Sequence, residues 1–211
     1  MKKPLEERSY AFEVRAEETE QGAIITGRPI VYNSQTDIGY FDEVIESGAL
    51  NSTDLTDVRF LVNHDMSRIP LARSRRNNGN STMRLEVNEY GMDIRVNLDV
   101  ENNAEARALY SAVRRGDVTG MSFKFSIERE TWENLESEHP LRRIQEIGSV
   151  IEVSAVTFPA YKATEINARS KEALESARSA LESARQQGAK SVETDGELEL
   201  AKEKYKYRSI F

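Results

Sequence analysis

The stretch GDVTGMSFKF, residues 116–125, contains the clearest change of local pattern in the chain. Gly116 closes a segment with helical spacing, and alternating apolar residues after Gly120 begin a strand. Ser122 stands between the apolar side chains of Met121 and Phe123, so it lies on the opposite side of the strand from them. This stretch therefore predicts a helix, a turn and a strand, with a single serine near the start of the strand.

Alternating apolar residues predict more strands on both sides of this unit. An asparagine-capped helix is predicted from about residue 102 to Gly116, and a hairpin turning at Gly91 precedes it. The charged residues 1–8 are expected to be loose. The predicted strands lie at 9–16, 22–33, 57–65, 83–87, 92–98, 141–145 and 150–158. The chain is thus expected to be mainly β, with flanking helices.

The amino-acid composition argues against several classes of protein and of functional site. The 211 residues are 38% hydrophobic and 31% charged, with a net charge of -7. An acidic chain rarely presents the basic face of a nucleic-acid binder. The absence of cysteine excludes disulfides, thiolate zinc sites and cysteine nucleophiles. No apolar run is long enough to cross a bilayer, and the charged N-terminus lacks the apolar segment of a secretory signal, so a soluble intracellular protein is expected.

The composition changes at about residue 163, where alanine, glutamate, serine and arginine begin to dominate. This pattern favours helix, but an apolar face made mostly of alanine buries little surface. We therefore expect a domain over residues 1–162, followed by a weakly ordered, helical or disordered tail over residues 163–211.

Three residues could together form a hydrolytic site. A serine nucleophile needs a base, and the base needs a third group that holds its tautomer. The chain has two histidines; His139 lies in a charged loop, whereas His64 follows the apolar run 58–62. Glu152 is a carboxylate inside an otherwise apolar strand, where it requires a partner. These residues predict Ser122 as nucleophile, His64 as base and Glu152 as the third member.

Each residue also has an ordinary explanation. Ser122 fits the polar face of a strand, His64 fits a structural histidine, and Glu152 could pair with an arginine such as Arg142. Spacing along the chain does not show that the three meet in space. Other chemistries have weaker support, since the chain lacks a His-x-x-His or Glu-x-x-His metal motif, a glycine-rich phosphate loop and a G-x-S-x-G elbow.

Several blocks of sequence resemble, in order, the HK97-type phage prohead maturation proteases, which are related to the herpesvirus assembly proteases. The blocks are FDEVIESGAL at 41–50, VNHD at 62–65, RGDVTGMSFKF at 115–125 and IEVSAVTFPAY at 151–161. The resemblance covers most of residues 10–162. It implies a closed or partly open, largely antiparallel β-barrel of the herpesvirus-protease type, with flanking helices.

The resemblance also implies a function. It indicates a serine endopeptidase that cleaves the phage major capsid protein, its scaffold segment and often itself, inside the assembling procapsid in the host cytoplasm. By matching motifs, His64 is the base and Ser122 the nucleophile. Glu152 lies in the strand where the herpesvirus relatives carry a second histidine, and Asp65 is the fallback third member. No cofactor, metal, nucleic acid or membrane is implied, and a homo-oligomer is left open.

Two rival functions remain compatible with the sequence. One is a capsid-assembly or scaffolding protein that keeps the fold without catalysis, which the acidic charge and helical tail also fit. The other is a small β-barrel that binds a ligand through these polar residues. The tail after residue 162 is expected to deliver a protease into the shell or to be removed by self-cleavage.

Overall fold

A computed structural model of the protein describes residues 5–10, 14–19, 22–157 and 175–188. These residues form eleven strands and two helices, which confirms the predicted mainly β fold with flanking helices. The second helix, α2, covers 175–188. The other elements are β1 (Leu5–Tyr10), β2 (Val14–Thr19), β3 (Gly22–Val31), β4 (Thr36–Asp37), β5 (Asp42–Ile45), β6 (Arg59–Val62), β7 (Ala72–Arg73), β8 (Met83–Asn88), β9 (Gly91–Leu98), α1 (Ala104–Arg115), β10 (Gly120–Glu133) and β11 (Leu141–Val156).

The larger sheet is built on the long antiparallel pair β10 and β11. β1 lies antiparallel along the other side of β10. β5 runs parallel to the first part of β11, and β6 runs parallel to its last part. β4 and β7 extend the sheet beyond β5 and β6, respectively. The arrangement brings β1, β10, β11 and β6 side by side at one end of the sheet.

The second sheet is antiparallel, with the order β2-β3-β9-β8. Its inner residues, such as Ile25 and Val96, share one buried cluster with Phe60, Phe123 and Phe125 of the larger sheet. Apolar burial of this kind is the main favourable contribution to folding. The core therefore lies between the two sheets, and the apolar face of β10 packs against it.

Helix α1 has the predicted ends. The side chain of Asn103 accepts hydrogen bonds from the first turn, and Gly116 ends the helix with a φ of 79°. A left-handed residue at this position is typical of a helix C-terminus and is easiest for glycine. The helix buries Ala106, Leu109 and Val113. The turn after Gly116 then leads directly into β10.

The predicted barrel is not confirmed. Barrel closure requires ladder hydrogen bonds between edge strands, and the described strands instead form two separate sheets. The larger sheet is mixed, because β5 and β6 both run parallel to β11. Its other pairings are antiparallel, so the described strands are largely antiparallel, as predicted.

Two local predictions were also wrong. Residues 5–8, expected to be loose, belong to β1, and Glu6 and Arg8 are buried there. The two strands predicted at 141–145 and 150–158 form one strand, β11, which continues through Gly148 and Ser149 to Val156. Irregularities in the register with β10 accommodate this length.

Helix α2 packs on the domain. Its Ala177 and Leu181 are buried against Ile38 and Phe41, beside Trp132. Part of the predicted tail thus contributes apolar contacts that its alanine-rich pattern did not indicate. The predicted boundary at residue 162 and the tail beyond residue 188 lie outside the described residues. Neither helix in the described part of the chain has the length and apolar character needed to cross a lipid bilayer.

Candidate active site

Three neighbouring strands bring the predicted site residues into one patch. Ser122 of β10 lies directly opposite Ser154 of β11. Glu152 lies two residues before Ser154, so its side chain emerges on the same face of the sheet. His64 follows β6, which lies on the other side of β11. Residues that are far apart in the sequence therefore meet where β10, β11 and β6 lie side by side.

A tight turn after β6 places His64 over β11. Asn63 and His64 have φ values of 51° and 59°, in the left-handed region. Asparagine tolerates this conformation better than most residues. The Asn63 side-chain oxygen also accepts hydrogen bonds from the backbone N–H and the hydroxyl of Thr157, at 3.0 and 3.2 Å. The backbone N–H of His64 donates to Ser154 Oγ at 3.1 Å, so the turn is tied to the end of β11 at two points.

His64 and Glu152 are hydrogen-bonded partners. His64 Nδ1 lies 2.5 Å from Glu152 Oε1, and Ser154 Oγ donates to Glu152 Oε2 at 2.6 Å. The Glu152 side chain is fully buried, and each of its oxygens has a partner. A carboxylate bound at Nδ1 selects the tautomer whose Nε2 carries a free lone pair. The arrangement can therefore present a histidine as a proton acceptor.

The alternative partner of Glu152 is excluded by the contacts of Arg142. Its guanidinium binds Glu6, Glu43 and Glu130 on the opposite face of the sheet. Glu152 therefore depends on His64 and Ser154 for its hydrogen bonds.

Ser122 is buried and hydrogen-bonded to the neighbouring strand β1. Its exposed fraction is 0%, and its Oγ donates a hydrogen bond of 2.6 Å to the backbone carbonyl of Arg8. On the β1 side, Ser9 is the residue opposite Ser122. Because a hydroxyl has one proton, this bond to Arg8 takes the proton that a catalytic histidine would have to accept.

The second nitrogen of His64 also faces β1. Nε2 is buried and has no hydrogen-bond partner within the described residues, and Glu7 Oε1 lies 3.4 Å from it. The other Glu7 oxygen lies 3.6 Å from Lys124 Nζ. The atoms that a serine hydrolase would use, Ser122 Oγ and His64 Nε2, thus both lie next to residues of the N-terminal strand.

The remaining sequence candidates lie away from this patch. The Asp65 carboxylate is 44% exposed and binds Ser67 and Arg68, so it does not serve His64. His139 lies on the surface near Asp37 and Asp42. The ligand atoms of these three residues lie within 4.8 Å of one another, and the 3.2 Å hydrogen-bond contact of His139 Nε2 with Asp42 Oδ1 accounts for this grouping.

Ser154 is a site residue that the sequence analysis missed. It lies two positions after Glu152, and this shared face of β11 was the one signal that could have identified it. The other missed feature is β1 itself. Its charged sequence indicated a solvated terminus, because arginine and glutamate are seldom buried without partners.

We compared the sequence with models of known protein families. The caudovirus prohead serine protease family matches residues 10–178, which is most of the chain. The chain belongs to this family. A structural comparison found similarity to the capsid assembly protease of bacteriophage T4. That likeness has 12% sequence identity and a TM-score of 0.42, and it covers 74% of this chain and 98% of the T4 chain. A search of curated proteins found no match.

The prohead protease match includes the three strands that carry the candidate site. His64, Ser122 and Glu152 all lie within residues 10–178, whereas β1 precedes that region except for Tyr10. Strand β1 is therefore almost entirely outside the part of the chain that matches the prohead proteases.

Proposed function

We propose that the protein is a serine endopeptidase that cleaves phage capsid and scaffold proteins during procapsid maturation, inside the assembling shell in the host cytoplasm. Ser122 is the nucleophile, His64 the general base and Glu152 the group that orients His64. The observation that carries the proposal is the His64 Nδ1–Glu152 hydrogen bond beside Ser122. Membership of the prohead serine protease family supports it.

In the proposed reaction, Ser122 Oγ attacks the carbonyl carbon of the scissile peptide bond. Its proton passes to His64 Nε2, which then gives it to the leaving amine. Water deprotonated by His64 attacks the acyl-enzyme, and the proton returns to Ser122 as the acid product leaves. In each half of the reaction, the Glu152 carboxylate stabilises the imidazolium that forms.

Burial strengthens the contribution of Glu152. A carboxylate without water interacts more strongly with a positive charge than one in solvent, because the local dielectric is low. The hydrogen bond from Ser154 holds the second carboxylate oxygen, so the charge is fixed in place before the proton moves. A buried carboxylate that already has its partners requires little rearrangement when the imidazolium forms.

Labelling with a fluorophosphonate probe tests the assignment. We expect covalent modification of Ser122, and cleavage of a capsid precursor that carries its scaffold segment, in the natural sequence. Both should be lost in Ser122→Ala and His64→Ala. Ser126→Ala, on the same face of β10, is the matched control and should keep both activities. Continued cleavage by Ser122→Ala would show that another residue or another enzyme performs the reaction.

The proposal includes self-cleavage within the predicted tail. Mass spectrometry of an active sample should then give a product shorter than 211 residues. An intact chain in a sample that cleaves the capsid precursor would contradict self-cleavage without affecting the proposed protease activity.

One observation favours a second candidate function. Ser122 is fully buried and its hydroxyl is bonded to Arg8, which also fits a capsid-assembly protein that keeps the fold without catalysis. Absence of labelling and of cleavage under every condition that frees Ser122 from β1 would favour this second function.

A further inference from the structure

We propose that β1 occupies the edge of β10 on which peptide substrates bind, so that the natural chain reacts only in the fraction of molecules from which this N-terminal strand is displaced. The inference rests on the proposed protease function. It identifies the occupant of the substrate position as residues 5–10, and it identifies the charged groups that a substrate strand meets there.

β1 pairs with the edge of β10 along its whole length. β1 pairs antiparallel with β10 from Leu5 opposite Ser126 to Tyr10 opposite Met121. Adding an extended strand to a free sheet edge is a general way in which proteins bind peptides, because the main chain supplies the hydrogen bonds. Ser122 lies within the paired segment, so a peptide cleaved by Ser122 would have to run along the same edge. β1 and a substrate therefore exclude each other.

The contact between β1 and Ser122 does not lead to reaction. Ser122 Oγ donates to the oxygen of the Arg8 carbonyl at 2.6 Å. Attack instead requires a lone pair of Oγ to approach the carbonyl carbon while His64 accepts the proton. The side chain of Glu7, also in β1, points towards His64, with its carboxylate 3.4 Å from Nε2. The strand thus engages the nucleophile and the base separately.

A buried ionic cluster holds β1 on the opposite face. Arg8 Nε donates to Glu43 at 2.5 Å, and Arg142 donates to both oxygens of Glu6 at 2.7 and 2.8 Å. All four side chains are buried. Charges removed from water are tolerated only with such complementary partners, so this cluster specifies which strand lies on β10.

The same ionic cluster indicates which charged side chains a substrate strand needs in order to bind at this edge of β10. When β1 leaves, Arg142 and Glu43 lose the partners that Glu6 and Arg8 supply. A replacing strand satisfies both if it carries an acidic and a basic side chain two positions apart, in the order acidic then basic. We infer that peptides with this pattern bind better than peptides with the two charges exchanged, since the exchanged pattern places like charges together.

A reversible cross-link tests whether β1 must leave. The natural chain has no cysteine, so Leu5→Cys with Ser126→Cys introduces one defined pair. These residues face each other across an antiparallel ladder, where Cα separations fall within the range of disulfides. We expect the oxidised variant to lose fluorophosphonate labelling of Ser122 and cleavage of the capsid precursor. Reduction should restore both, and each single-cysteine variant, treated with the same oxidant, should stay active.

The outcomes of the cross-link separate the two proposals. Equal labelling of Ser122 in the oxidised and reduced forms would overturn the inference about β1 and leave the proposed function standing. Absence of labelling and cleavage in the reduced form, the single-cysteine variants and the natural chain would contradict the proposed function, and the inference would fall with it.

Glu7→Gln gives an independent test that leaves the buried cluster intact. The change removes the carboxylate that pairs with Lys124 Nζ of β10 at 3.6 Å. We expect the rate of Ser122 labelling to rise about fivefold, the effect of losing one partly buried ion pair that holds β1 on β10. Glu17→Gln, at an exposed position of β2, is the matched control and should label at the natural rate. A Glu7→Gln rate equal to or below that of the control would count against the block by β1.

The peptide pattern is tested with synthetic strands. A peptide with the sequence of residues 1–10 should inhibit cleavage by the reduced cross-link variant more strongly than the same peptide with Glu6→Lys and Arg8→Glu. Equal inhibition by both peptides would show that the Arg142 and Glu43 cluster does not select the bound strand.

Discussion

At the residue scale, the candidate site depends on short-range hydrogen bonds among His64, Glu152 and Ser154. The Ser154 hydroxyl accepts from the His64 backbone and donates to the Glu152 carboxylate, so one side chain positions both members of the pair. Ser154 lies opposite Ser122, which places the proposed nucleophile next to this network. Substitutions that preserve volume and change one hydrogen bond are the most informative tests of these roles.

Glu152→Gln is expected to abolish most of the activity without unfolding the protein. The amide can donate to His64 Nδ1, which favours the tautomer with its proton on Nε2 and removes the base. We expect kcat to fall by roughly 10³- to 10⁴-fold, by analogy with the equivalent change in a serine protease triad. Glu86→Gln on β8 is the control, since its side chain is exposed. A kcat within about twofold of the natural value, measured on the capsid precursor, would remove Glu152 from the mechanism.

Ser154→Ala tests a positioning role. The change leaves a buried carboxylate oxygen and a backbone N–H without their partner, at a cost of about 1–3 kcal/mol in stability. Misplacement of His64 should lower kcat by roughly 10- to 100-fold, while KM stays within about twofold because Ser154 does not touch substrate. Ser149→Ala, also on β11, provides the comparison. Equal losses in the two variants would indicate a general effect on β11 instead of a role for Ser154.

At the element scale, β1 is the strand whose position matters most. The six residues of β1, three of them charged, form a sheet edge because Glu6 and Arg8 have partners on β5 and β11. Arg142 additionally lies over the rings of Phe41 and Trp132, which favours a cation. This ionic cluster gives the docking of β1 a dependence on pH.

Acid should weaken the folded state through Glu6. Burial alone raises the pKa of Glu6, but Arg8 and Arg142 outweigh it and lower the pKa from 4.5 to about 2. Because the pKa is lower in the folded state, the stabilisation is complete above about pH 4.5 and is lost as the pH falls towards 2. The difference corresponds to at most about 3 kcal/mol.

Denaturant unfolding of the natural chain and of Glu6→Gln, across this pH range, measures the contribution. The natural chain should lose its advantage over the variant as the pH falls from 4.5 to about 2. A constant difference between the two free energies of unfolding would show that Glu6 keeps its ordinary pKa in the folded protein.

At the scale of the whole molecule, two sheets and one shared core hold the three site strands in register. The partners His64 and Glu152 are 88 positions apart in the sequence, and they meet because β6 runs parallel to the end of β11. The smaller sheet supports β10 through the buried cluster that both sheets share. Any change that separates β3 from β9 should therefore affect the entire domain.

Gly91→Ala is such a change. Gly91 has a φ of 142°, and a Cβ at this position would lie 2.0 Å from the backbone oxygen of Ile30 in β3. The strained backbone and the collision with main-chain atoms should destabilise the protein by roughly 3–5 kcal/mol. Gly79→Ala is the control, because no atom lies within 4 Å of its Cβ position. Equal melting temperatures for the two variants would contradict the close approach of β3 and β9.

Some of these features could be predicted from the sequence because their causes are local. The asparagine and glycine that end α1 act within one helical turn, and the alternation in β9 depends on successive residues. His64, Ser122 and Glu152 could also be proposed from the sequence, since few residue types suit a serine hydrolase site. Ser154 was missed because serine is common on strands and its role depends on the Glu152 side chain beside it.

The sequence by itself determined most of the elements, the mainly β class and the three groups proposed for catalysis, because propensity, capping and side-chain chemistry are properties of short segments. The tertiary structure alone decided the two-sheet arrangement in place of a barrel, the convergence of His64 with Glu152, and the burial of Ser122 beside β1. An open strand edge accepts any compatible partner, and nothing in the local sequence names that partner. The charges of Glu6 and Arg8 indicated solvent exposure until Arg142 and Glu43 supplied complementary charges inside the fold.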